Sequence, residues 1–273
     1  MSLNVIGLDV GFSATKRSSG VAWLRQERLK VGCANASWED RWRLLDGAEL
    51  VQVVAIDAPI LPSLSDRSRL CERVFSRGSF QRRCKPGLSH VPGTGQNLRK
   101  AGQSSTEQFS SITAGSDLVS PFPRVVAGVN VVEAFPNAYL GVMLPGRCFD
   151  NVPLIKRGKK FDWLYDLCLI EKRLLNVMDE IGVKRVDSLR EMVEVNRNHD
   201  ERAALVCLLV AVGVTTGRYT AVGDESGGYF FLPPWETWSE WAQRELECQR
   251  QVGLDIWING LQYAHSDPLP MIS

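Results

Sequence analysis

Four acids stand where a strand or helix is expected to begin or end: Asp9 in VIGLDVG, Asp57 in VVAIDAP, Glu133 in VVEAFP and Asp200 in NHDERAALVCLLVA. The first three follow apolar, β-branched runs that read as buried strands, where a carboxylate is costly unless it meets a cation or a hydrogen-bond donor. Oxygen ligands converging at strand ends select Mg2+ or Mn2+, and two such ions about 3.5–4 Å apart can activate a water and stabilise the leaving oxygen in phosphodiester cleavage. The expected metal ligands are therefore Asp9, Asp57 and Asp200, with Glu133 as a further catalytic acid. Each has a plainer role when taken alone. Asp9 suits a turn, Asp57 and Glu133 suit strand ends before Pro59 and Pro136, and Asp200 suits the first turn of a helix, where the dipole favours an anion. Only the set of four points to a shared cation.

Groups able to meet a phosphate stand near these acids in the sequence. Lys16 and Arg17 follow Asp9 in a loop that also holds Ser13, Thr15, Ser18 and Ser19, and His199 precedes Asp200. Residues 65–100 carry nine basic side chains (Arg67, Arg69, Arg73, Arg77, Arg82, Arg83, Lys85, Arg99 and Lys100) against Asp66 and Glu72, a local net of +7. Arg69, Arg73 and Arg77 recur at i, i+4 spacing, which on a helix started by Ser65 makes one outward strip suited to phosphate binding or to plain solvation.

The net charge of +1 over 273 residues gives no global argument for a polyanionic partner, so nucleic acid is expected from the local cluster alone. A 44% hydrophobic and 23% charged composition is that of a globular chain able to bury one large core. No run reaches the roughly 18 apolar residues that would span a bilayer, and the N-terminus enters a strand pattern directly, so a cytoplasmic protein without a membrane partner is expected. The seven cysteines include no CxxC pair, which suits reduced thiols; Cys71, Cys84 and His90 match no common zinc spacing. Trp235, Trp238, Trp241 and Trp257 suit core packing or base stacking, and with the apolar helices they would suit a homodimer contact.

The elements that must position the acids follow in order. Residues 3–10, 20–24 and 28–34 read as three antiparallel strands, 38–50 as a helix capped by Ser37, and 51–57 as a strand parallel to the first. Residues 66–77 read as a basic helix, 78–124 as a long mobile insertion, and 128–135 as another buried strand. Helices are expected at 159–181, 185–195, 199–214 and 236–251, with an extended segment at 228–232. This order is that of an α/β ribonuclease H-like domain spanning 1–273: a mixed five-stranded sheet of three antiparallel and two parallel strands, flanked by helices. The first strand then lies beside the fourth, so that Asp9 and Asp57 face each other.

The segments GLDVGFSATKRSSGVAWL, IDAPILP, RLCERVFSRG, VVEAFPNAYLG and HDERAALVCLLVA followed by GGYFFLPPW resemble, in that order, the family catalogued as domain of unknown function 429, described as ribonuclease H-like nucleases. The resemblance runs along most of the chain. It implies a metal-dependent nuclease site at Asp9, Asp57 and Asp200, with Glu133 as an addition. This chain departs from the pattern at Ala203, where relatives and Holliday-junction resolvases often carry a second aspartate three residues into the last helix; Glu201 cannot replace it, since adjacent helical residues point about 100° apart. Two other readings stand beside the nuclease. A non-catalytic binding or regulatory protein would keep the fold, and an actin-like or sugar-kinase-like ATPase would share the opening GLDVGFSATK but would need a second phosphate loop that the chain lacks.

Overall fold

The computed structural model describes residues 2–61, 68–84, 88–113, 119–150 and 159–270. One side of the sheet is built from β1 (Asn4–Leu8), β2 (Ser19–Arg25), β3 (Arg28–Ala34), β4 (Val53–Ile56) and β5 (Val131–Ala134). The strands β1, β2 and β3 form an antiparallel meander, and β4 and β5 add in parallel on the other side of β1. Short links allow the first arrangement; the helix α1 (Trp38–Leu44) supplies the crossover that the parallel pairing requires. As expected, Ser37 caps α1, its side chain accepting the Asp40 N–H at 3.3 Å.

The expected count of five strands is corrected to nine. Beyond β5 the sheet continues with β7 (Gly228–Leu232) in parallel, then β6 (Thr220–Asp224), β8 (Asp255–Ile258) and β9 (Leu261–Tyr263), giving the order β3-β2-β1-β4-β5-β7-β6-β8-β9. The last hairpin turns on Asn259 and Gly260, both at positive φ, which is the Asn-Gly type I′ pairing that suits right-twisted strands.

One helix dominates the packing. Helix α9 (His199–Thr216) is apolar on all sides and buried from Arg202 to Thr215, as expected of a helix enclosed by the core. It crosses β1, β2 and β4, while α5 (Pro136–Met143) and α6 (Lys160–Ile170) cover its outer side. On the opposite face of the sheet, Ile6, Leu8, Val54, Ile56 and Val131 pack with Leu45 and Phe109.

The remaining helices refine the expected boundaries. The basic helix expected at 66–77 is the shorter α2 (Leu70–Phe75), followed by a separate α3 (Gly78–Arg83), and the expected Ser65 start, with Asp66 and Arg67, lies outside the described residues. The stretch 78–124 is not a loop without elements. Besides α3 it holds α4 (Thr94–Ser110), which packs on β4 and β5 through buried Gly102, Thr106 and Phe109; Lys85 and residues 114–118 of this stretch lie outside the described residues. The helix expected at 159–181 breaks at Lys172, whose φ of 55° interrupts the ladder between α6 and α7 (Arg173–Glu180). Helices α8 (Asp187–Val195) and α10 (Glu240–Gln249) complete the chain. Trp235 and Trp238 are buried, and their indole N–H groups donate to Pro270 and Pro233 carbonyls, which fits core packing.

No described helix is long and apolar enough to cross a membrane.

Gly7 lets α9 lie this close to β1: a Cβ there would stand 2.2 Å from Leu208 N and 2.3 Å from the Ala204 carbonyl oxygen, both backbone atoms that cannot step aside. Gly7→Ala is expected to lose about 1–3 kcal/mol or more in denaturant unfolding, as overpacking of a filled core does. Gly146→Ala, where the nearest atom is 3.9 Å away, should be near neutral.

Candidate functional site

Asp9 and Asp57 follow immediately after β1 and β4, whose parallel register pairs Leu8 with Ile56 and so sets the two aspartates side by side. The Asp57 N–H donates to the Leu8 carbonyl and the Asp9 N–H to the Gly20 carbonyl, each at 2.9 Å, which fixes both backbones. By strand alternation the two side chains leave the sheet on the face that α9 covers. Asp200 stands in the first turn of α9, capped by Asn198, whose side chain accepts the N–H groups of Asp200 and Glu201. Gly20 allows this helix end to settle on β2, since a Cβ there would stand 1.9 Å from the Asp200 carbonyl oxygen.

The electrostatics follow from this placement. Burial, then the charge of Asp57, then that of Asp200, pushes the Asp9 carboxyl well above the ordinary aspartate range. Burial, with Glu133 adding, raises Asp57 from the usual 3.8 to about 7. Asp200 is raised as well, first by burial and then by Asp162 and Glu201, against a lowering by His199. None of the three makes a salt bridge to a Lys, Arg or His among the described residues. Cys207, one of the buried residues of α9, feels both strand-end acids, which with burial raise its thiol well above its usual range.

Glu133 belongs to a different arrangement. Its register partner on β4 is Ile56, not Asp57, so alternation sends its side chain from the face opposite to the two aspartates. There its two oxygens accept from Arg69 Nη1 and Nη2 at 2.5 and 2.7 Å, and Arg69 Nε donates to Glu72 Oε1 at 3.0 Å. The expected outward strip of Arg69, Arg73 and Arg77 is therefore corrected. Arg69 is 5% exposed and spent on Glu133 and Glu72, Arg73 donates to the Ser68 carbonyl, and only Arg77, the residue before α3, is exposed. The physical reason is that the strip presumed one continuous helix, whereas Arg69 precedes α2 and Arg77 follows it.

In the loop after Asp9, Lys16 is exposed without an ion pair among the described residues, but Arg17 grips Asp40 through Nε at 3.2 Å and Nη2 at 3.0 Å. Asp40 is held below its usual range by the Asn35 N–H first and by Arg17 second. His199 is exposed, with Nδ1 3.1 Å from Asp162 Oδ2, and its ring lies edge-on to Phe161.

Sequence reasoning missed the groups that hold this loop. Ser19 Oγ accepts the Gly11 N–H at 3.0 Å and a bond from Arg41 Nη2 at 3.1 Å, and Arg41 Nη1 continues to Ser105 and Gln108. Arg41 is 1% exposed with only neutral partners, and burial lowers its pKa to about 10. Nothing in the helical pattern of α1 marks Arg41 as buried, because the partners that satisfy it come from β2 and from α4, which the sequence reading placed in a loop. Cys33 was also missed: burial first, then Glu201, Asp200 and Asp9, push its thiol up to about 11.

Among the described residues no three His, Cys, Asp or Glu side chains converge as a ready cage for a metal ion. The chemistry of the donors still suits a hard divalent cation: Asp9 and Asp57 are oxygen-only ligands without a salt-bridge partner among the described residues, and Mg2+ is ordinarily held by one or two carboxylates with substrate phosphate and water filling the rest. Ala203, 4% exposed, adds no further ligand. No family model, curated protein or solved structure matches this chain.

Two outcomes follow. A carboxyl whose pKa rises from 3.8 to about 7 on folding keeps its proton in the folded chain after the unfolded chain has lost it, so its cost to stability begins near pH 4 and is complete above about pH 7. In chelator, the melting temperature of Asp57→Asn relative to the parent chain should therefore climb across that window, read by thermal scans at half-unit steps. Arg69→Met should instead destabilise by about 3–5 kcal/mol in denaturant unfolding near neutral pH, because it leaves Glu133 and Glu72 buried without their cation, and by less in acid, where a buried carboxyl can take up a proton.

Proposed function

We propose that the chain has a ribonuclease H-like core, strands β1 to β5 with α9, and is a metal-dependent nuclease acting on nucleic acid. The observation that carries this reading is the pairing of Asp9 with Asp57 at the ends of adjacent parallel strands, beneath the first turn of α9, with no counter-cation among the described residues. Support also comes from contrast, since Asp40, Glu133 and Glu72 are each matched to an arginine.

In this reading Asp9 and Asp57 hold Mg2+ or Mn2+, with Asp200 as the third carboxylate. When bound, the ion supplies Lewis-acid polarisation of the phosphate and a lowered pKa for an attacking water. The chain's own contributions are positional. Backbone bonds at Asp9 and Asp57 keep the two carboxylates side by side, and the seat of α9 on Gly20 brings Asp200 toward them. Lys16, exposed and without an ion pair among the described residues, gives an ammonium for a phosphate of the substrate. Glu133 acts in this scheme as the anchor of Arg69 and not as a ligand.

The non-catalytic alternative is favoured by one specific observation, the want of a preformed three-ligand cage among the described residues, with Ala203 at the place of a further acid. The two readings part in a single experiment. Labelled single-stranded, duplex, hybrid and branched nucleic acids are incubated with Mg2+ or Mn2+ and the parent chain, Asp9→Asn or Asp57→Asn. A nuclease gives cleavage that needs the ion and falls to background in both variants. Binding without cleavage in all three proteins favours the regulatory reading, and cleavage surviving in both variants removes these acids from the chemistry.

A further inference from the structure

Phe12, 49% exposed, is the most exposed Phe, Tyr or Trp ring among the described residues; every Trp, every Tyr and every other Phe is more covered. A single exposed apolar side chain is ordinary on a protein surface. The place and the setting of this one are not. Phe12 stands three residues after Asp9, in the loop 10–18 that leaves the candidate site, and the loop is bound down on both sides of it.

Before Phe12, the Gly11 N–H is held by Ser19 Oγ, which buried Arg41 in turn fixes. After it, Ser13 Oγ accepts the N–H groups of Thr15 and Lys16 at 3.2 and 2.8 Å, and the Ser13 carbonyl accepts the Ala36 N–H at 2.9 Å. Arg17 is tied to Asp40. The ring is thus presented to solvent by a backbone that cannot easily fold it back, and the exposed ammonium of Lys16 lies four residues further along the same loop.

An exposed aromatic face on a tethered loop, with an exposed cation beside it in the same loop, makes up the chemistry that recognises an unstacked base together with its backbone. We infer that loop 10–18 is a stacking platform on which Phe12 receives an unpaired nucleobase while Lys16 meets a neighbouring phosphate, so that the substrate is single-stranded or locally unpaired nucleic acid. The inference rests on the nuclease reading and narrows its substrate class. A base inside an intact duplex has both faces covered by its neighbours and offers no surface to the ring, whereas the phosphate contact is open to either form of substrate.

Fluorescence anisotropy tests this with fluorescein-labelled 12-nucleotide single strands of DNA and RNA and a blunt 12-base-pair duplex, in chelator so that no cleavage intervenes. Phe12→Ala should weaken single-strand binding by roughly 5- to 150-fold, the range for loss of one base-aromatic stack, and duplex binding by less than about twofold. Phe12→Tyr, which keeps the face, should stay within about threefold of the parent chain. Lys16→Ala should weaken both forms alike and lower the salt slope by about one. Because Phe12 is half exposed, an unchanged melting temperature checks that Phe12→Ala is folded. The platform is overturned if Phe12→Ala leaves single-strand affinity unchanged or weakens the duplex equally; when ion-dependent cleavage still requires Asp9, the nuclease reading survives that result. A parent chain that neither binds nor cleaves any of these nucleic acids overturns both.

Discussion

Like charge held together without a salt-bridge partner among the described residues is the constraint on which the candidate site depends. Asp9 and Asp57 are set side by side by the β1–β4 register, and Asp200 is brought toward them by the first turn of α9. All three carboxyls are pushed toward the neutral form, by burial above all. Near neutral pH such a set costs folding free energy, which the chain recovers elsewhere or by binding a cation. Acids arranged only for stability would be expected beside donors or arginines, as Glu133, Glu72 and Asp40 are.

The surroundings of the site are organised to hold that strain. Helix α9 is apolar on every side and pressed against the sheet at Gly7 and Gly20, so it cannot draw Asp200 away without losing contact with β1 and β2. On the other flank the buried Arg69 ties the strand end at Glu133 to α2 through Glu72 and to the β6–β7 turn through the Gly227 carbonyl. Behind the loop after Asp9, Arg41 joins β2 to α4 through hydroxyl and amide acceptors alone. Two buried arginines thus do different work. One neutralises acids outside the site, and the other fixes the backbone that leaves it.

Much of this was legible in the sequence, and the limits have physical causes. The meander and β4 could be read because VIGL, SGVAWL and VVAI are buried on both faces and so appear as unbroken apolar runs, and Asn198 with HDERAALVCLLVA marks both the start and the enclosure of α9. The pairing of Asp9 with Asp57 followed from that order of elements. Glu133 resembled them locally, but its face is set by a register with Ile56 that no local pattern reveals. Helix α4 was hidden because TGQNLRKAGQSSTEQFS is polar and Gly- and Ser-rich, and its burial rests on small residues such as Gly102 fitting against Ala58 and Pro59. The hairpin β8–β9 did carry a readable signal, the Asn-Gly pair between IWI and LQY.

The most direct test is a crystal grown or soaked with Mn2+ and measured at the wavelength where manganese scatters anomalously. If the uncompensated acids are a cation site, an anomalous peak lies between the carboxylates of Asp9 and Asp57, within about 2.0–2.3 Å of an oxygen from each, and disappears in Asp57→Asn. An anomalous map with no peak there at saturating Mn2+, while the two carboxylates keep their places, would contradict a metal-dependent site.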